Sequence, residues 1–332
     1  MLDRRTFIKF AGASALAPMV APLAVPVAQA QQANWPNRFV RLIVPFPPGG
    51  GTDAIARVMS AKLSEMWGHQ LVVENRGGAN TNIGSEIVAR AEPDGYTMML
   101  HSMPLAVNKF LFDKLPYDPI ADFAPVSLIC DYPNVMAVPA DSPSKTVGEF
   151  VARARANPGK LTYASSGHGT SVHLSGELFK RLAKVDMLHV PYRGAGPALN
   201  DLIPGRVDVM FNNIGAVMPL IQTGKLRALG VTTLKRASAL PDVPPIAEEG
   251  LPGFDVSAWY IFIAPAKTPQ PIIRKFHADT VKVLADPAVK SRLEQLGVVI
   301  VGSSPEELGA HLKREMDKWG VIIKEAGIKG EG

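Results

Sequence analysis

The sequence predicts an α/β protein of two domains facing each other across a cleft, and three observations carry that expectation. Apolar runs of four to six residues alternate with helical patterns along most of the chain, as strands and crossover helices do in largely parallel sheets. Two of these runs lead through loops rich in glycine or hydroxyl side chains directly into helices. The chain is also expected to cross between its two sets of elements twice, near residues 125–140 and 234–258, and two crossings make a hinge with a cleft beside it.

The first set of runs is 39–44, 71–74 and 97–101, with helices expected over 53–67 and 82–91, the second stopped by Pro93-Asp94-Gly95. The second set begins after Pro139-Ala140-Asp141-Ser142-Pro143: helix 144–157, strand 161–164, helix 171–183, strand 187–190, helix 195–203, strand 207–211 and strand 226–232. A proline-rich connection over 241–254 leads to a strand at 259–264 that returns to the first domain, and helices at 272–285, 287–296 and 305–326 follow. One domain is therefore expected to comprise 31–130 together with 255–332, and the other 131–254.

At 332 residues, 47% hydrophobic and 20% charged, the composition is globular and the length suits two ordinary domains. Its net charge of +5 contains no run of five basic residues, which argues against nucleic acid or a polybasic membrane contact. Residues 1–30 read as an export signal of the twin-arginine type, with Arg4-Arg5, a weakly apolar Ala- and Pro-rich stretch, and Ala28-Gln29-Ala30 as a small-residue cleavage site. Cleavage after Ala30 would remove Arg4, Arg5, Lys9 and Asp3, lower the charge to +3 and leave the protein in the periplasm. No later apolar run reaches membrane-spanning length, and no apolar surface stripe stands out, so a monomer that is not membrane-embedded is expected. The single cysteine, Cys130, lies in an apolar run and is expected to be a buried hydrophobe.

In open α/β sheets ligands sit beyond the carboxyl ends of the strands, so the loops there are the candidate site. The first, Pro45-Phe46-Pro47-Pro48-Gly49-Gly50-Gly51-Thr52-Asp53, combines close backbone approach at the glycines with the free N–H groups of a helix start, which attract anions. Plain capping by Thr52 or Asp53 is the bland alternative. The second, Ala164-Ser165-Ser166-Gly167-His168-Gly169-Thr170-Ser171, offers four hydroxyls where capping needs one, a surplus suited to holding a carboxylate.

The same residues admit three other readings. Gly49 to Ala54 fits a dinucleotide turn, with Glu74 in place of the ribose-binding acid, so an exported nucleotide-dependent oxidoreductase is the alternative function. Against it stand three prolines before or beside the turn and the negative charge of Asp53 next to a pyrophosphate; no lysine follows to make a phosphate-binding loop of the Walker type. Ser166, His168 and Asp53 lack the G-x-S-x-G elbow and a separate orienting base. His168 and His173 are five apart rather than the four of H-E-x-x-H, and His189 on an apolar strand reads as interior, so neither metal nor cofactor is expected.

The chain resembles the Bug family, the TctC-like periplasmic receptors of tripartite tricarboxylate transporters. The resemblance covers essentially the whole mature sequence and is carried by five ordered blocks, VPFPPGGGTDAIAR at 44–57, VVENRGGANTNIGSEIVARAEPDGYTMML at 72–100, YASSGHGTSVHLSGELF at 163–179, VPYRGAGPALNDLIPGRVDVMFNN at 190–213 and GKLRALGVTT at 224–233. It implies a two-domain periplasmic binding protein fold of the type II kind, no catalysis, a small organic acid as ligand and the membrane permease subunits of such a transporter as partner. Carried over, the ligand-binding residues are Phe46, Pro48, Gly49, Gly51, Thr52 and Asp53 on the first loop, Ser165, Ser166, Gly167, Thr170 and Ser171 on the second, and Ala79, Asn80, Asn82 and Ser102 as further wall residues. Where members commonly show M-F-D-N this chain has Met210-Phe211-Asn212-Asn213. Asn212 supplies no charge for a ligand ammonium, which implies a mono- or dicarboxylate without an amine.

Overall fold

The computed structural model describes residues 35–330, so the expected export signal lies outside it. The first elements are β1 (Val40–Val44), α1 (Gly51–Trp67), β2 (Leu71–Asn75), a 3-10 turn (Ala79–Thr81), α2 (Asn82–Ala89), β3 (Thr97–His101), α3 (Pro104–Leu111) and β4 (Phe123–Pro139). Then come α4 (Val147–Ala156), β5 (Thr162–Ser165), α5 (Ser171–Ala183), β6 (Leu188–Pro191), α6 (Ala195–Leu202), β7 (Val209–Asn213), α7 (Ile214–Gln222) and β8 (Leu226–Val231). The remainder is β9 (Ser257–Pro265), α8 (Gln270–Ala285), α9 (Pro287–Gln295), β10 (Val299–Ile300) and α10 (Pro305–Ala326).

The strands form one sheet in the order β2-β1-β3-β9-β4-β7-β5-β6, with β8 and β10 also paired to β4. Pairing is parallel among β2, β1 and β3 and among β6, β5 and β7, the two sets the alternating pattern predicts. The long strands β9 and β4 run antiparallel between them. Along β1 the alternation of side chains serves both faces: Leu42 and Val44 join Ile55, Met59 and Phe276 on one side, while Ile43 joins Met99, Trp259 and Trp319 on the other. Helices therefore cover both faces of an α/β fold of the two-domain binding-protein class, with the loops at the strand ends left free to form a site.

β4 is the element the sequence conceals. Residues 125–140 read as a crossing, and they are a crossing, but in the form of a 17-residue strand rather than a linker. Three prolines disguise it, because proline cannot donate to a ladder. Pro125 sits where the register with β9 shifts, Pro133 ends the pairing with β9, and Pro139 closes the strand against Leu226 of β8. From Asn134 onward β4 pairs instead with β7 and β8. The second crossing, before Ser257, is fixed to the first by Thr232. Its buried hydroxyl accepts from Asn134 N–H at 3.1 Å and donates to Val256 C=O at 2.6 Å.

Removing that hydroxyl leaves a buried N–H and C=O without their partner, which typically costs about 1–3 kcal/mol. Thr232→Val is therefore expected to lower the unfolding free energy by that much, seen as a lower urea midpoint with unchanged slope, and Thr232→Ser to recover most of it. A wild-type midpoint for the valine variant would contradict the role given to Thr232.

Candidate ligand-binding site

The first loop is built around a buried carboxylate. α1 starts at Gly51, two residues earlier than expected, and Gly50 caps it without any side-chain bond. Asp53 lies inside the first turn, accepting from Gly49 N–H at 3.0 Å and Arg57 Nε at 2.9 Å through Oδ2 and from Asn75 Nδ2 at 3.0 Å through Oδ1. Burial pushes its carboxyl pKa up, but the bonds from Arg57, Gly49 and Asn75 outweigh this and hold it below the usual carboxylate value. Asp53, expected to line the site, thus also shapes the loop from within. Asn75, at the end of β2, also donates to Phe46 C=O at 3.1 Å and so ties the loop at a second point. Phe46 packs edge-on against His101, with centroids 5.8 Å apart. Thr52 is buried and hydrogen-bonded to the Tyr260 hydroxyl. A side chain at Gly51 would press on Tyr260 and Tyr132, at 3.2 and 3.4 Å, so only glycine lets the helix end lie on this pair without displacement.

The same contacts bear on the dinucleotide alternative. Gly49 N–H, which a pyrophosphate would need, is taken by Asp53. Glu74, the counterpart of a ribose-binding acid, is gripped by Arg41 through two bonds of 2.8 and 3.1 Å and by Arg76 at 3.2 Å.

Ala79, Asn80 and Thr81 continue the first wall with three consecutive positive φ angles of 44, 50 and 75°, a conformation that ordinary side chains adopt at a cost. Asn108 of α3 holds the strained turn. It donates to Asn80 C=O and Asn82 Oδ1, both at 2.8 Å, and accepts from Asn80 Nδ2 at 2.9 Å. Tyr117 also donates to Asn82 Oδ1, so Asn82 braces the turn from behind. Beneath it lies a relay from His101. His101 Nδ1 lies 2.7 Å from Ser102 N and 2.9 Å from Ser102 C=O, and its Nε2 faces Ser85 Oγ at 3.0 Å; Ser85 in turn donates to Thr81 C=O. Burial pushes the fully enclosed His101 down to about 3.

The hydroxyl surplus of the second loop is partly absorbed by the loop itself. Thr170 caps α5 by accepting from His173 N–H at 3.3 Å and donates to Gly167 C=O at 2.8 Å. His173 reaches back past the cap, its Nδ1 accepting Gly169 N–H at 3.1 Å. Ser165 bonds to His189 Nε2 at 2.7 Å and accepts Gly167 N–H at 3.2 Å. Among the described residues, Ser166 has only a 3.4 Å contact to Thr170, and it and the buried Ser171 are the hydroxyls least engaged.

The two walls meet at Gly169. A side chain there would collide with Leu111 and come within 3.2 Å of Asn80 Nδ2, so the second loop lies directly on the strained turn of the first wall. Asn212, near the end of β7, stands beside the loop through the β5–β7 pairing. It is completely buried, its Oδ1 accepts Asn213 N–H at 2.8 Å, and its Nδ2 has no acceptor among the described residues. Asn213 donates to Asn134 Oδ1 at 2.7 Å and thereby ties this wall to β4. Two cavities elsewhere, of 860 and 260 Å³, share none of these residues.

Sequence reasoning missed Asn75, Asn108, Asn134, Tyr132 and Tyr260, which position the loops from outside them. It also missed that His189 meets His168 and His173. The parallel pairing of β6 with β5 sets His189 opposite Tyr163, and His189 stacks on Tyr163 and on His173 with centroids 4.7 and 4.2 Å apart.

Uncapped and partly capped helix starts on two walls, at the strand ends of a sheet whose halves share β4, define a solute-binding protein. The chain belongs to the tripartite tricarboxylate transporter family receptors, TctC, whose family profile matches residues 55–328. It is 45% identical over 88% of its length to a protein from the tcbD-tcbE intergenic region of Pseudomonas sp. strain P51, of which 87% is covered. Protein BugT of Bordetella pertussis is 35% identical, with 89% of this chain and 91% of BugT covered. Among solved structures, Rhodopseudomonas palustris Rpa4515 with adipate is 37% identical with a TM-score of 0.83, covering 90% of this chain and 100% of its own. MatC from the same organism, with bound malate, is 34% identical with a TM-score of 0.78, covering 87% and 100%.

The neutral His101 relay has a pH signature. Its pKa of about 3 lies below the unfolded value of about 6.5, so its contribution is fully present above the unfolded value and is lost as pH falls toward the folded one. Between pH 6 and 4 this group alone should steepen the fall in unfolding free energy by about 1.4 kcal/mol per pH unit. His101→Gln should remove that one-proton slope in denaturation curves taken across this range; an unaltered slope would mean that His101 is not buried neutral. Asn108→Ala should cost about 1–3 kcal/mol by releasing the turn at Asn80, measurable in the same curves at neutral pH.

Proposed function

We propose that this chain is a non-catalytic periplasmic receptor that captures a small, amine-free organic carboxylate, mono- or dicarboxylic, and delivers it to the membrane subunits of a tripartite tricarboxylate-type transporter. The observation that carries the ligand class is the buried amide of Asn212. Its Nδ2 needs an acceptor, and a ligand carboxylate beside the second loop supplies one. An acid lacking an amine suits this wall, because asparagine offers no negative charge for an ammonium group. Rpa4515 and MatC, which carry adipate and malate, support the class by their likeness to this chain.

In this reading the lobes are 31–130 with 255–332 and 131–254, and they close on the ligand about the two crossings. The chain is exported by its twin-arginine signal, cleaved after Ala30, and works as a monomer. The N–H groups at the start of α1, with Phe46, Pro48, Gly49, Gly51 and Thr52 around them, take one end of the acid. Ser166, Gly167, Ser171 and Asn212 take the opposite side, and Ala79, Asn80 and Ser102 complete the walls. Charge-assisted hydrogen bonds are worth about 1.5–3 kcal/mol each, so several of them reach the ~8 kcal/mol of a micromolar ligand once association costs are met.

Purified tag-free protein screened by thermal shift against adipate, malate, aspartate, glutamate and NAD(P) tests the proposal. An acid at a hundred times its Kd should stabilise by about 2.7 kcal/mol, with the amine-free acids giving the larger shifts. Asn212→Asp should weaken an amine-free acid at least tenfold by placing a carboxylate beside a carboxylate. Stabilisation by NAD(P) alone would overturn the receptor reading, and preferential binding of aspartate or glutamate would overturn the ligand class.

A further inference from the structure

We propose that His168, His173 and His189 form a binding site for one divalent transition-metal ion, zinc foremost, at the base of the second loop. Each ring offers a nitrogen within 4.8 Å of the nitrogens offered by the other two. The three come from separate elements, the loop, the first turn of α5 and strand β6, so no spacing in the sequence announces them. Neutral imidazole is a preferred donor for zinc, copper and nickel, and three imidazoles leave a fourth tetrahedral position for water.

The contraction that an ion requires is available where the chain is pliable. Zinc–nitrogen bonds of about 2.0–2.1 Å place tetrahedral donors roughly 3.3–3.4 Å apart. His173 and His189 are held by stacking with each other at 4.2 Å, and His189 rests on Tyr163. His168, whose ring lies 5.3 and 5.1 Å from theirs, sits between Gly167 and Gly169, at φ angles of 127 and 68°. Because lone pairs lie in the ring planes, closing the set takes movement of that loop residue and a turn of the His173 and His189 rings out of their 22° stack.

The nitrogen lone pairs can be traced. Ser165 Oγ lies 2.7 Å from His189 Nε2, and a proton on Nε2 donated to this hydroxyl leaves Nδ1 open, the second partner that metal-bound histidines ordinarily have. At His173, Nδ1 now accepts Gly169 N–H, so an ion bound there displaces that hydrogen bond and the loop rearranges around it. Lys180, the cation on this side, is paired with Glu177 at 3.3 Å. The site stands independently of the ligand reading, since metal binding is read without any organic acid present.

Tag-free, chelator-treated protein titrated with zinc by calorimetry, and with cobalt by visible absorbance, tests it. The expected result is saturable binding of one equivalent, weakened at least tenfold in both His168→Gln and His189→Gln. Both variants should melt near the wild-type temperature in chelator, while the rise that zinc gives the wild type is lost in each. His168→Gln, on the loop, guards against a packing defect in the other variant. Absence of one-to-one binding to the wild type, or undiminished affinity in either variant, would overturn the site.

Discussion

Everything in this molecule hangs on one strand serving two partners. β4 is continuous through both halves of the sheet, paired to β9 up to Pro133 and to β7 and β8 from Asn134. Its backbone hydrogen bonds fix the register on each side, so the halves cannot slide past one another, and any relative movement must bend the strand near its change of partner. Thr232 locks the return crossing to that same point. Tyr132, one residue before Pro133, lies against Gly51 at the start of α1 and hydrogen-bonds to the backbone of Gly215 in α7. The hinge and two helix starts are thus mechanically one assembly.

A second theme is the use of amides to hold loops. Asn75 and Asn108 each reach from a regular element into an irregular one and satisfy groups that a loop cannot satisfy alone, while Asn134 on β4 accepts from Asn213 at the end of β7, just before α7. Amides suit this because they donate and accept hydrogen bonds without adding charge to the loops they hold. Asp53 is the exception in charge, and it is neutralised by Arg57 and buried behind the glycines it orients.

Most of the local architecture was legible because it is local. PFPPGGGTD and SSGHGTS each follow an apolar strand and open a helix, and the structure places both as read, with α5 beginning at Ser171 as expected. The start of α1 slipped by two residues because Asp53 looks like a cap while acting from inside the first turn. α3 and α7 were not read at all: α3 is eight residues long with Pro104 at its head, and α7 contains Pro219. β4 was hidden by its prolines. The positioning residues were illegible for another reason. Asn108 acts on a turn 28 residues away and Asn134 on Asn213, 79 residues away, and only the folded sheet brings His189 to His173.

The lone cysteine carries a practical consequence. Cys130 sits on β4 with no exposed surface, and burial pushes its thiol pKa up, so it offers no thiolate to a reagent. The natural chain is therefore silent toward maleimides. A pair of cysteines introduced at chosen surface positions, one on each side of the hinge, would be the only reactive thiols, and the opening angle of the receptor could be followed by fluorescence energy transfer without first engineering a background sulfur away.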